Sequence, residues 1–151
     1  MTVLFFCSGC DEIIHRFKHT VEYSVPEHNR KSYHLLEDLI ERLLNSTGDE
    51  QILVYLAHSI KELNSLSVID HLFRNIRLIL IVPDRNKSTI TRAHSLYPRF
   101  VSVIDDDFSE VAHVLAIMIE KLSLADHKEF RTGNHRGIQT SPRRGDELIE
   151  Q

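Results

Sequence analysis

Leu78-Ile79-Leu80-Ile81-Val82 contains no polar residue and gives way at once to Pro83 and Asp84. A run of that length is too short for a helix, and a strand with one wet face would alternate apolar with polar residues. An uninterrupted apolar strand is buried on both faces, as in a parallel sheet covered by helices on each side. Ile52 to Leu56 and Val3 to Phe6 have the same character, and each run is followed by polar residues and then by helical spacing. The chain therefore predicts an α/β fold. In open parallel sheets, ligands bind beyond the carboxyl ends of the strands, which singles out Cys7 to Cys10, His58, Asp84 and Asp105 to Asp107 as candidate site residues.

Working outward, Asp11 to His19 predicts a short first helix with Ile13, Ile14 and Phe17 on one face. Val21 to Val25 alternates and ends at Pro26, which predicts a second, edge strand. A long helix is expected from about Asn29 to Asn45, carrying Leu36, Leu39, Ile40, Leu43 and Leu44, with Gly48 as its stop signal. Ser59-Ile60-Lys61-Glu62 is a capping box, so a third helix begins near Ile60 and is expected to continue through Leu63, Leu66, Ile69 and Phe73. Asp84 or Asn86 is expected to cap a fourth helix, which carries Ile90, Ala93 and Tyr97 inward and stops at Pro98. Phe100 to Ile104 predicts the fifth strand, and Asp107-Phe108-Ser109-Glu110 is a second capping box. The last helix is expected over Ser109 to Leu122, with Val111, Val114, Leu115, Met118 and Leu122 on one face. From Ala125 the periodicity ends, and 125–151 reads as a disordered polar tail behind a 1–124 domain.

This order of elements resembles the flavodoxin-like arrangement: three layers, with a five-stranded parallel sheet in the order 2-1-3-4-5 and a short first helix. Within that class the chain is similar to response-regulator receiver domains over roughly Met1 to Leu124, in element order and in the cadence of Leu78 to Pro83 and Phe100 to Phe108. The resemblance implies a signalling domain, and it also locates a phosphorylation site. Receivers carry an acidic pair after the first strand, a phosphoacceptor Asp after the third, Thr or Ser after the fourth and Lys-Pro after the fifth. Here those places hold Cys7 and Ser8, Leu56 or Ala57, Val82 or Pro83, and Asp105 to Asp107. Without the carboxylate nucleophile and the metal-binding acids there is no phosphoryl transfer, so the likeness is to a degenerate receiver. Ser8 and Gly9 alone are too little for a flavin phosphate loop.

Three other constellations are candidates for chemistry. Cys7-Ser8-Gly9-Cys10 sits where a strand yields to a helix, a position that lowers a thiol pKa, so the alternative to an interaction domain is a small thiol-disulfide protein or redox sensor using Cys7 and Cys10. His15 and His19, one helical turn apart, suggest zinc ligands together with those cysteines, but Cys10 lies too close to His15 for a finger loop. Asp84, Asp105 and Asp106 form an acidic rim, part of it explained by capping and turns. No cofactor or metal is expected.

The composition narrows the partners. With 151 residues, 42% hydrophobic content and a formal charge of -4, one domain is expected, with no broad attraction to nucleic acid or to an anionic membrane. The start of the chain shows no positively charged leader, which predicts a cytoplasmic protein. Ile117 and Ile119 flank Met118 beside an apolar stripe that is already full. That excess predicts a homodimer or a protein partner at the last helix.

Overall fold

The computed structural model describes residues 1–8, 11–45, 50–104 and 107–136. It has an α/β architecture whose strands are β1 (Thr2–Cys7), β2 (Arg30–Tyr33), β3 (Glu50–Leu56), β4 (Arg77–Val82) and β5 (Phe100–Val103). These form one five-stranded sheet in the order β2-β1-β3-β4-β5, and every pairing is parallel. The helices are α1 (Asp11–Thr20), α2 (Leu36–Leu44), α3 (Ile60–Val68), α4 (Lys87–His94) and α5 (Ser109–Arg136). This is the flavodoxin-like arrangement. Two compact units divide the chain: Met1–Val114 holds the entire sheet, and Leu115–Gln151 holds the remainder of α5.

Because side chains alternate along a strand, each apolar run supplies both faces at once. Leu4 and Phe6, Leu53 and Tyr55, and Leu80 and Val82 form one core with Leu39 of α2, Leu63 and Leu66 of α3, and Ala93 of α4. Phe6 and Tyr55 are register partners, and their rings stack with centroids 4.5 Å apart. Phe5 projects to the opposite face, where its ring meets Phe17 of α1 edge-on at 6.0 Å, and Phe17 in turn meets Phe108.

The second strand is not where the alternation places it. Val21 to Val25 forms a 3-10 turn over Glu22–Ser24, and Arg30–Tyr33 is the strand that pairs with β1. Exposure shows the reason: Val21 and Val25 are buried, but so is Glu22, whereas Tyr23 is 51% exposed, which no period-2 segment would give. Buried Glu22 accepts a hydrogen bond from Ser32 of β2 and pairs with Lys18 of α1 at 3.5 Å. The Arg30 guanidinium donates to the Val25 carbonyl at 2.6 Å and lies over the Tyr23 ring. This turn is thus tied to β2 by polar bonds rather than by a ladder. The helix expected from Asn29 accordingly begins only at Leu36.

Helix α4 ends at His94 rather than at Pro98, leaving Tyr97 87% exposed instead of inward. Helix α5 continues through Arg136, well past Leu122 and into the segment read as tail, while residues 137–151 lie outside the described residues. Among the described residues, two non-glycine residues adopt left-handed backbone, Tyr97 (φ 56°) and Phe108 (φ 65°). For an L-residue this costs about 1–2 kcal/mol. At Phe108 full burial, contact with Phe17 and an overlying Arg16 guanidinium offset the cost. No helix among the described residues is long and apolar enough to cross a membrane.

Leu53 sits at the middle of the central strand with no exposure at all. Leu53→Ala is expected to lower unfolding free energy by about 2–5 kcal/mol, since the rigid neighbours on β1 and β4 cannot collapse into the void. Denaturant titration of the two proteins measures the difference.

Candidate functional site

The carboxyl ends of β1, β2 and β3 come together, and a residue at or just beyond the end of each strand supplies a polar group. Cys7 ends β1 and is 4% exposed. His34 follows β2, and its Nδ1 lies 2.9 Å from the Cys7 carbonyl oxygen. A carbonyl only accepts, so Nδ1 carries the proton of that bond. His58 follows β3 after Ala57, and its Nε2 lies 3.9 Å from the Cys7 sulfur. The last residue of β1 is thus held between two imidazoles, one on its carbonyl and one on its thiol.

Glu62 positions His58. Ser59 is the N-cap of α3 and accepts the Glu62 backbone N–H at 3.2 Å, as the capping box requires. The reciprocal arm differs from the usual one: Glu62 Oε1 accepts the N–H of His58, one residue earlier, at 3.0 Å. Its Oε2 accepts the hydroxyl of Tyr55 at 2.9 Å. One carboxylate thereby joins the end of β3, the loop that carries His58 and the first turn of α3. The Tyr55 side chain is fully buried in the core, and its hydroxyl needs such a partner. Burial in the first place, and then the facing Glu62 carboxylate with its hydrogen bond, push the Tyr55 phenol far above the ordinary tyrosine value of 10.0.

The remaining candidates fall elsewhere. Ser8 is half-buried next to Cys7. Half-buried Asp84 accepts the Asn86 N–H at 2.9 Å, a turn ahead of α4, and the Asn86 side chain makes no capping bond. Asp107 accepts both the N–H (3.0 Å) and the hydroxyl (2.7 Å) of Ser109, and these bonds hold its carboxyl below the usual carboxylate range. Cys10, Asp105 and Asp106 lie outside the described residues. His15 and His19 stack on α1 with ring centroids 4.3 Å apart, and among the described residues no three His, Cys, Asp or Glu side chains gather as metal ligands. On α5, Ile117 is 38% exposed, while Met118 and Ile119 are half-buried.

Two members of the site escaped the sequence reading. His34 follows a strand with the polar sequence Arg-Lys-Ser-Tyr, which carries no apolar signal. Tyr55 was hidden inside an apolar run; its hydroxyl was the available clue, since a buried phenol requires an acceptor.

Comparison with protein-family models, curated proteins and solved structures returns no match. The fold and the geometry of this edge are therefore the basis for a functional reading.

A folded-state phenol that stays protonated above pH 10 keeps a proton that the unfolded chain releases, so stability must fall as pH rises above about 10. Tyr55→Phe is expected to cost about 1 kcal/mol at neutral pH, from the lost bond to Glu62. It should also show a shallower stability loss above pH 10 than the parent. Denaturant midpoints measured at neutral and alkaline pH give both quantities.

Proposed function

We propose that the protein is a non-catalytic, receiver-like signalling domain of the cytoplasm that binds a protein partner, or a second copy of itself, through its last helix and the neighbouring edge strand. The observation that carries this reading is the carboxyl end of the central strand. In the flavodoxin-like order found here, β3 ends in Leu56 and is followed by Ala57, both with no exposure, at the place where a receiver holds its phosphoacceptor carboxylate. An aliphatic wall there leaves the fold without a nucleophile for phosphate. Binding is the function such a scaffold retains.

The choice of surface is supported by position. β5 is an edge strand, so part of its main chain has no neighbouring strand to bond. A groove of about 420 Å³ runs along it, lined by Ile90 and His94 of α4, Phe100, Val101 and Ser102 of β5, and Glu110 of α5, among others. The Ser102 hydroxyl is buried and has no hydrogen-bond partner among the described residues. A buried hydroxyl left unbonded is costly, and an incoming group could satisfy it. Exposed Ile117 lies further along α5.

A second reading, a thiol-based redox protein or sensor using Cys7 and Cys10, is favoured by the 3.9 Å approach of His58 Nε2 to the Cys7 sulfur. An imidazole at that place can take the thiol proton and stabilise a thiolate. The burial of Cys7 weighs against it, because reactive thiols are accessible ones.

Incubation with a small-molecule phosphodonor should add no phosphate, as read by intact mass; a phosphorylated species would overturn the degenerate-receiver reading. Ile117→Asp should convert an oligomer to monomer without lowering the melting temperature, as measured by sedimentation and thermal unfolding. A joint Cys7→Ser, Cys10→Ser variant that associates like the parent favours the binding domain. Rapid reaction of the parent with a thiol probe at neutral pH, suppressed by mild oxidant, reverses the order of the two readings.

A further inference from the structure

At the opposite end of the sheet, the amino ends of β4 and β5, a cavity of about 430 Å³ is lined by Asp70, Phe73, Arg74, Ile76, Leu96, Tyr97 and Arg99. That volume is within the range of small-molecule sites, about 300–1,000 Å³. Its floor is apolar: Phe73 and Leu96 are each only 5% exposed. Its rim is polar, and the polar groups there are not used by the fold. Among the described residues neither the Arg74 nor the Arg99 guanidinium has a hydrogen-bond or ion-pair partner, and the same holds for the Asp70 carboxylate. Surface arginines are common, but two unpaired ones around one apolar hollow form a site with net positive charge, suited to an oxyanion.

Tyr97 adds an independent observation. It adopts left-handed backbone (φ 56°), and unlike Phe108 it recovers nothing by burial, since 87% of its surface is exposed and its ring makes no ring or cation contact among the described residues. Asparagine or glycine would hold this turn with less strain. A bulky aromatic kept in a strained conformation, with its ring in solvent at the rim of a cavity, fits a stacking surface for a planar ligand.

We propose that this cavity binds a nucleoside monophosphate. Each lining group then has a chemical task. Arg74 and Arg99 receive the phosphate, Tyr97 stacks on the base, Phe73, Ile76 and Leu96 cover the apolar edge of the ring, and Asp70 accepts hydrogen bonds from the ribose hydroxyls. That last task accounts for an acid beside two arginines, which a site for phosphate alone would not include. The site lies at the other end of the sheet from the carboxyl edge and meets the groove along β5 at Arg99, which lines both, but it does not depend on the partner binding proposed there.

Calorimetric titration of the full chain with adenosine monophosphate, adenosine and inorganic phosphate tests the proposal. The nucleotide should bind more tightly than either fragment, and the amide resonances of Asp70, Tyr97 and Arg99 should move. Arg74→Gln and Arg99→Gln should each weaken the nucleotide about tenfold, the loss expected for one charge-assisted bond. Tyr97→Asn should weaken binding while the melting temperature stays level or rises, and Tyr97→Phe should keep affinity. A purely structural tyrosine would give the opposite pattern, a lower melting temperature with no ligand effect. Nucleotide binding no tighter than that of adenosine or phosphate, or affinity unchanged in both arginine variants, would overturn the assignment.

Discussion

From Ile52 to Ala57 no residue of the central strand and its exit has any exposure, and a strand without a wet face needs a neighbour on each edge and a helical layer on each side. Those requirements account for most of the architecture. β1 and β4 supply the edges, and their own apolar runs extend the same demand outward until polar β2 and short β5 end the sheet. Parallel pairing obliges the chain to return to the starting end after every strand, so each crossover is long enough to hold a helix, and the helices give the two covering layers.

Satisfying that burial has a local consequence at the carboxyl edge. Tyr55 is part of the core by its ring, yet its hydroxyl cannot be left without an acceptor. Glu62 provides one, and its second oxygen fixes the His58 amide. His58 is therefore placed beside Cys7 by an element whose first duty is to support a buried phenol. Proximity of imidazole and thiol here follows from packing, and chemistry at Cys7 would require in addition that a substrate reach a sulfur that is 4% exposed.

How much was legible depended on which side chains announce their burial. β1, β3 and β4 were plain because double-sided burial writes an unbroken apolar run, and the cap of α3 was plain because Ser59 and Glu62 bond the backbone directly. β2 was not, because an edge strand of Arg, Lys, Ser and Tyr is half in water and has only β1 to pair with. Val21 to Val25 imitated a strand because residues three to four apart in a 3-10 turn, Val21 and Val25, share a buried side just as alternate strand residues would. The decisive residue was Glu22, whose burial is explained by Lys18 and Ser32, partners that sequence spacing alone does not reveal. The site suffered in the same way: losing β2 meant losing His34.

The two ends of the sheet also show why a concentration of polar residues is a poor guide to function. At the carboxyl end, where the topology favours ligands, the described polar groups are largely engaged with one another. Glu62 uses both oxygens, His34 is bonded to the Cys7 carbonyl, and Asp84 and Asp107 close the turns that start α4 and α5. A group already bonded must give up that bond before it can hold a ligand, and the exchange returns little net free energy. At the amino end, Arg74, Arg99 and Asp70 are fewer and less conspicuous in sequence, but among the described residues no internal side-chain bond competes for them. Free energy for binding is thus more readily drawn from the end of the sheet that the fold leaves unsatisfied than from the end where its polar residues are most numerous.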